Sequence, residues 1–151
     1  MSDSAPPPQE RTSVGKQMSQ LDPADGLKLQ VCQDCDTVQY PPRELCKQCL
    51  GAGLVWTEID PGGTVLAHTT LHTSLEPYFS ERLPWTVGTV KLDCGPVVMT
   101  HIAASCHGRD ARVRVMPARD DGGTAVLVAV PESAADGVGE GKTVAELLAL
   151  E

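Results

Sequence analysis

Alternating apolar and polar residues dominate the chain from about residue 54 to residue 130. Thr64–Thr73 alternates with a period of two, which is the spacing of a strand whose two faces meet different surroundings. Ala111–Met116 shows the clearest alternation, with Val113 and Val115 on one face. Similar patterns predict further strands over residues 54–59, 86–93, 96–104 and 124–130.

Turn sequences separate these strands at short intervals. The segments 60–63 (Asp-Pro-Gly-Gly) and 120–123 (Asp-Asp-Gly-Gly) are typical of turns, and Cys94-Gly95 joins two strands as a β-hairpin. An open sheet of five or six such strands would leave exposed edges, whereas a closed barrel removes them. We therefore predict a mainly β protein with a five-stranded OB-fold barrel, although a small sandwich would fit the same strand pattern.

The two ends of the chain differ from this barrel segment. Residues 1–14 are polar and rich in proline, a composition that predicts disorder. Residues 132–151 are acidic and end in a short apolar stripe at helical spacing, formed by Val144, Leu147 and Leu148. Because so short a helix is marginal by itself, we expect it to dock either on its own barrel or on a partner chain.

Four cysteines precede the barrel as two Cys-x-x-Cys pairs, Cys32 with Cys35 and Cys46 with Cys49. Each pair forms a tight turn that directs two thiolates to one place, and two such turns make the tetrahedral cage that zinc prefers. The pattern implies no open coordination position, so we expect one structural zinc ion per chain, which stabilises a module too small to fold alone. The alternatives are disulfides, an iron centre, or a redox pair of the thioredoxin type.

The predicted domains follow from these patterns. They are a disordered N-terminus (1–14), a zinc ribbon with a short leading segment (15–52), the OB-fold domain (53–131), and an acidic tail with a short C-terminal helix (132–151).

Composition disfavours several function classes. The 151 residues include 12 basic and 20 acidic side chains, a formal net charge of −8, and no segment is basic enough to bind a phosphate backbone by charge. The apolar stretches all fall short of the roughly 20 residues that span a bilayer. The N-terminus has no apolar run after a basic start, as a signal peptide would. We expect a cytoplasmic protein with no membrane or nucleic-acid partner.

The sequence suggests no catalytic set in this chain. Paired carboxylates, a Gly-x-Ser-x-Gly motif and a dinucleotide-binding fingerprint do not occur in it. Cys94 lies in a predicted turn, and adjacent Cys106 and His107 would point to opposite faces of a strand. We therefore predict no catalytic residue, with an enzyme based on Cys94 or Cys106 as the alternative.

Three of the five aromatic residues lie in one proline-flanked loop, residues 74–85. Aromatic residues on a loop are typical of an interface or an apolar substrate channel. The alternative is that Phe79 and Trp85 only close one end of the barrel. The residues predicted to contact a partner or an acyl-CoA are Tyr78, Phe79, Leu83 and Trp85.

The order of these segments resembles a known family over about residues 27–131. The family joins a rubredoxin-like zinc ribbon to an acyl-CoA-associated OB domain, once catalogued as domain of unknown function 35. The resemblance rests on the two cysteine pairs and on six short sequence motifs. These are Tyr40-Pro41-Pro42-Arg43, Trp56-Thr57-Glu58, Gly63-Thr64-Val65, Leu83-Pro84-Trp85, Val90-Lys91-Leu92-Asp93 and Gly95-Pro96. The N-terminal helical hairpin that often precedes the ribbon in this family is scarcely represented here.

This resemblance implies a non-catalytic accessory subunit in a hetero-oligomer. Its partner would be a thiolase-like enzyme, which it stabilises and whose acyl-CoA site it helps to form, for example in aromatic degradation of the benzoylsuccinyl-CoA type. The alternatives are a partner of a steroid side-chain aldolase or hydratase and, from another class, a freestanding OB module that binds nucleic acid. Carried over by position, the zinc ligands are Cys32, Cys35, Cys46 and Cys49, and the loop from Tyr78 to Trp85 is a contact surface.

Overall fold

The cysteine-rich module folds as a three-stranded antiparallel sheet. In the computed structural model, which describes residues 5–133 and 143–149, its strands are β1 (Lys28–Cys32), β2 (Val38–Gln39) and β3 (Leu54–Glu58), in the order β2-β1-β3. Every residue of β3 pairs with a residue of β1. The strand predicted over 54–59 therefore completes the ribbon sheet and is not a strand of the barrel.

Five strands close the barrel that follows. They are β4 (Gly62–Leu71), β5 (Trp85–Leu92), β6 (Val97–Ile102), β7 (Arg112–Arg119) and β8 (Ala125–Pro131). Their order is β4-β5-β6-β8-β7, and β7 pairs back to β4. The strand pairs are antiparallel except for β6 with β8, where only His101–Val128 and Ile102–Ala129 pair. The predicted mainly β fold, with a zinc ribbon and a closed five-stranded barrel, is confirmed.

Aliphatic side chains fill the barrel and join it to the ribbon. Leu27 precedes β1 of the ribbon sheet and Leu29 lies within it. Both pack into the same buried cluster as the barrel valines. Ribbon and barrel therefore share one hydrophobic core. The barrel valines in this cluster with no exposed surface are Val65, Val90, Val98, Val113 and Val115.

The short C-terminal helix, here α3 (Val144–Leu148), docks on the barrel of its own chain. It starts with a capping box: the Thr143 hydroxyl accepts from the N–H of Glu146, and the Glu146 carboxylate accepts from the N–H of Thr143. Val144 and Leu147 are buried in a cluster with β8 residues. Of the two docking surfaces expected from the apolar stripe, the chain's own barrel or a partner chain, the structure shows the chain's own barrel.

The N-terminal segment contacts the barrel as well. Residues 5–12 belong to no helix or strand, but Pro7 is buried, and the Thr124 hydroxyl donates to the side-chain oxygen of Gln9 at 3.4 Å. Helix α1 (Ser13–Ser19) follows, with Thr12 as its N-cap. Part of the segment that composition assigned to a disordered N-terminus thus packs against folded structure. Residues 1–4 and most of the acidic tail lie outside the described residues.

Candidate metal centre and aromatic loop

The four ribbon cysteines converge on one point. The Sγ atoms of Cys32 and Cys49 are 3.6 Å apart, as are those of Cys35 and Cys46, and all four sulfurs lie within 4.8 Å of one another. Four thiolates bound to zinc at about 2.3 Å lie about 3.8 Å apart in a regular tetrahedron. The sulfurs therefore have the spacing that a zinc ion needs, and they lie too far apart for disulfide bonds.

Two turns of matching geometry hold the cysteine pairs. In each turn, the residue after the second cysteine donates its N–H to the carbonyl of the first: Asp36 to Cys32 and Leu50 to Cys46, both at 2.9 Å. Asp36 and Leu50 also share the left-handed conformation, with φ of 60° and 61°. The repeated turn explains why two identical spacings produce one converging set of thiols.

The electrostatics of the second turn favour a thiolate at Cys46, whereas the pKa of Cys49 is raised to about 12: the Gly51 N–H lowers it, but the hydrogen bond with Cys32 and burial outweigh that effect. The backbone N–H of Cys49 is the main cause that lowers the pKa of Cys46 to about 6. The N–H of Gln48 also donates to the Cys46 sulfur, at 3.4 Å. A thiol with this pKa is mostly deprotonated at neutral pH, which is the form that binds a metal. Cys32 and Cys46 are buried, whereas Cys35 and Cys49 lie nearer the surface. Four thiols at one point leave no open coordination position, so the donor set suits a structural site.

A pair of buried glutamines holds the loop that carries Cys46. Gln39 donates from Nε2 to Oε1 of Gln30 at 3.2 Å and accepts at Oε1 from the N–H of Lys47 at 2.9 Å. Gln30 bonds both the N–H and the carbonyl of Arg43, each at 2.9 Å. These two glutamines were not among the predicted site residues, and the one signal for them in the sequence is a polar residue between Leu29 and Val31.

The aromatic loop packs where β4 ends and β5 begins, around the short helix α2 (Pro77–Ser80). Tyr78 is buried, contacts the rings of Phe79 and Trp85 edge-on, and lies 4.0 Å below the guanidinium of Arg82. Phe79, Leu83 and Trp85 are half-buried. The Tyr78 side chain therefore makes its contacts within its own chain. A contact surface for a partner would consist of the half-buried residues Phe79, Leu83 and Trp85.

His101 links this loop to the barrel. The indole N–H of Trp85 donates to Nδ1 of His101 at 2.9 Å. Because an indole N–H is only a donor, Nδ1 carries no proton, and the neutral ring holds its proton on Nε2. Burial lowers the pKa of His101, against the opposing charge of Asp120, which agrees with this neutral form.

The remaining thiols are not activated. Cys106 is buried at the end of a 3₁₀ turn, and burial raises its pKa. Burial also raises the pKa of Cys94 in the β5–β6 turn. The ring of His107, which the sequence places beside Cys106, stacks on His68 with the centroids 5.4 Å apart. A raised thiol pKa leaves less thiolate at neutral pH, the opposite of what a nucleophile requires.

The fold and the four-thiol cage define a zinc ribbon joined to an OB barrel. Residues 24–55 match the rubredoxin-like zinc ribbon domain of ChsH2, and residues 56–116 match its C-terminal OB-fold domain. Together the two matches cover residues 24–116, more than half of the chain. The chain therefore belongs to the ChsH2 family of zinc ribbon and OB-fold proteins, also called DUF35.

A solved chain described as the Ltp2-ChsH2(DUF35) aldolase has the same fold. Its TM-score is 0.64 and its sequence identity is 21%, over 84% of this chain and 98% of that chain. The similarity at this identity concerns the fold alone. No curated protein matches the sequence. Within the described residues, no helix has the length and apolar character needed to cross a membrane.

Proposed function

We propose that this protein is a non-catalytic accessory subunit of a thiolase-type enzyme complex that acts on CoA thioesters. The observation that supports this most is the pairing of a complete four-thiolate ribbon with an OB barrel in one core, the arrangement of the ChsH2 family. The raised pKa values of Cys94 and Cys106 support a role without catalysis in this chain. The chemistry then belongs to the partner.

The ribbon is proposed to hold one structural zinc ion. Its ligands would be Cys32, Cys35, Cys46 and Cys49, whose spacing suits a tetrahedral thiolate site. Zinc would maintain the ribbon surface that sits beside the barrel, because so small a module has little core of its own. The ion would therefore support partner binding indirectly, by keeping the ribbon folded.

The aromatic loop is the proposed contact with the partner. Phe79, Leu83 and Trp85 are half-buried apolar side chains at one end of the barrel, and such side chains are common at protein interfaces. In the complex, this loop would help to form the partner's acyl-CoA site. An aromatic acyl group of the benzoylsuccinyl type is one candidate for the group bound at that site.

An aldolase is the second candidate for the partner. It is favoured by one observation, the shared fold with the chain of the Ltp2-ChsH2(DUF35) aldolase. Both reactions cleave or form a carbon–carbon bond, but a thiolase transfers the acyl fragment of a β-ketoacyl thioester to CoA, whereas an aldolase releases an aldehyde or a ketone from an aldol. An assay of the purified complex for both reactions separates them.

Co-purification with loop variants tests the proposal. Leu83→Asp places a charge in the proposed contact surface, so we expect the tagged protein to lose its partner while keeping its zinc and its fold. Leu45→Asp is the matched control, because Leu45 is an exposed leucine in the ribbon loop and is not part of the aromatic loop. Retention of the partner by Leu83→Asp would refute the contact surface, and absence of any partner with the unmodified chain would refute the accessory role.

A further inference from the structure

A groove of about 370 Å³ runs along the outside of the barrel beside the N-terminal helix. One wall consists of barrel residues from β5, β6 and β8, and the other consists of residues from α1 and the ribbon loop. The side chains that matter for its chemistry are Met18, Tyr40, Val87, Met99, His101 and Val126. Its volume lies within the range of about 300 to 1,000 Å³ that is usual for small-molecule sites.

His101 lines this mostly apolar groove and carries a hydrogen-bond donor. Its Nδ1 is occupied by the indole N–H of Trp85, at 2.9 Å, so the proton of the neutral ring is on Nε2. No hydrogen-bond partner of Nε2 is found within the described part of the chain. The same ring lines a second cavity of about 110 Å³, which continues toward Phe79. His101 therefore lines both the groove and this second cavity.

The charge of the lining limits which ligand fits. Arg11 is the charged residue among those that line the groove, and its guanidinium already donates to the carbonyl of Pro8 at 3.0 Å. The chain as a whole carries a formal charge of −8, which repels anions. Asp120 lines the adjoining cavity with His101 and acts on that ring through its negative charge, so a neutral ligand suits the space at His101 better than a carboxylate or a phosphate.

We propose that this groove binds a small, uncharged and largely apolar molecule whose carbonyl oxygen accepts a hydrogen bond from the Nε2–H of His101. The carbonyl is a complementary group, because its oxygen accepts a hydrogen bond and the Nε2–H of the ring is free to donate one. An extended peptide fits less well, since Pro7, Pro8 and Arg11 of the N-terminal segment line the adjoining cavity. The site consists of residues of this chain and does not depend on the proposed partner.

A comparison of two probes tests the proposal on the full, zinc-loaded chain. The probes are 4-phenylbutan-2-one, which carries a ketone, and butylbenzene, which does not. We expect saturable binding of the ketone in the millimolar range or tighter, with a change in the His101 Nε2–H resonance on addition of the ketone. His101→Phe removes the donor, so it should weaken ketone binding about 3- to 10-fold and leave butylbenzene binding almost unchanged.

Three further variants complete the test. Val126→Trp fills the groove and should abolish binding of both probes, and Met99→Trp does the same from a partly exposed position if Val126→Trp does not fold. His72→Phe is the control, because His72 is exposed and does not line the groove. Absence of saturable binding, binding that survives the filling variants, or an equal effect of His101→Phe on both probes would overturn the proposal.

Discussion

Replacing Gln39 by leucine tests how the ribbon holds its second cysteine pair. The change removes three hydrogen bonds: to Gln30 Oε1 at 3.2 Å, to the Leu45 carbonyl at 3.3 Å and from the Lys47 N–H at 2.9 Å. Because Gln39 is only 1% exposed, water has little access to replace its side chain. At about 1 kcal/mol for each bond, the loss is about 3 kcal/mol, of which the apolar leucine recovers about 1 kcal/mol.

Urea unfolding measures this effect in the ribbon. Trp56 lies in β3, so in a Trp85→Phe background the fluorescence comes from a tryptophan in the ribbon. We expect the Gln39→Leu substitution to lower the free energy of unfolding by about 2 kcal/mol and to release zinc to a chelator at a lower urea concentration. Gln48→Leu is the control, because Gln48 is exposed in the same loop. Equal stability of the Gln39 variant and its parent would refute the role of the glutamine pair.

Four further predictions concern single residues. Cys46→Ser should lose the bound zinc and unfold the ribbon, whereas Cys94→Ser should keep one zinc per chain by elemental analysis; retained zinc in Cys46→Ser refutes the ligand set. Thr100→Val should raise the free energy of unfolding by about 1 kcal/mol, because the hydroxyl is buried with no hydrogen-bond partner in the described chain, and a loss would contradict this. Since burial lowers the pKa of His101, its contribution to stability is complete above the unfolded value of about 6.5 and is lost as pH falls through the lower folded pKa. Between pH 4 and pH 8, the unfolding midpoint of His101→Phe should therefore change less with pH than that of the unmodified chain. An equal pH dependence of the two midpoints would contradict this prediction. Because Leu147 of α3 is buried against the barrel, Leu147→Ala should lower the free energy of unfolding by about 2 kcal/mol in thermal unfolding, and a change near zero would contradict the docking of α3.

Local patterns in the sequence were sufficient to predict the fold. Two identical Cys-x-x-Cys spacings predicted the ribbon, and valines at every second position predicted the barrel strands. The assignment of residues 54–59 to the barrel was wrong because period-two alternation identifies a strand but not the sheet that it joins. In β4, a bulge between Val65 and Ala67 interrupts the alternation that the sequence showed over Thr64–Thr73.

The contacts that matter for the site are mostly long-range and could not be read from spacing. Gln30 meets Arg43, and Trp85 meets His101, only because loops and strands fold back on each other. Proline content in the N-terminus predicted disorder, yet Pro7 is buried because the β7–β8 turn lies beside it. Capping also helps to explain α3, whose Thr143 N-cap the apolar stripe did not reveal.

Native mass analysis of the tagged protein from its own host, with zinc determined on the same sample, tests the accessory-subunit proposal most directly. We expect a hetero-oligomer in which the zinc-loaded chain is bound to an enzyme subunit of thiolase size, and in which removal of zinc releases that subunit. A zinc-loaded chain that elutes alone, as a monomer, would contradict the proposed function.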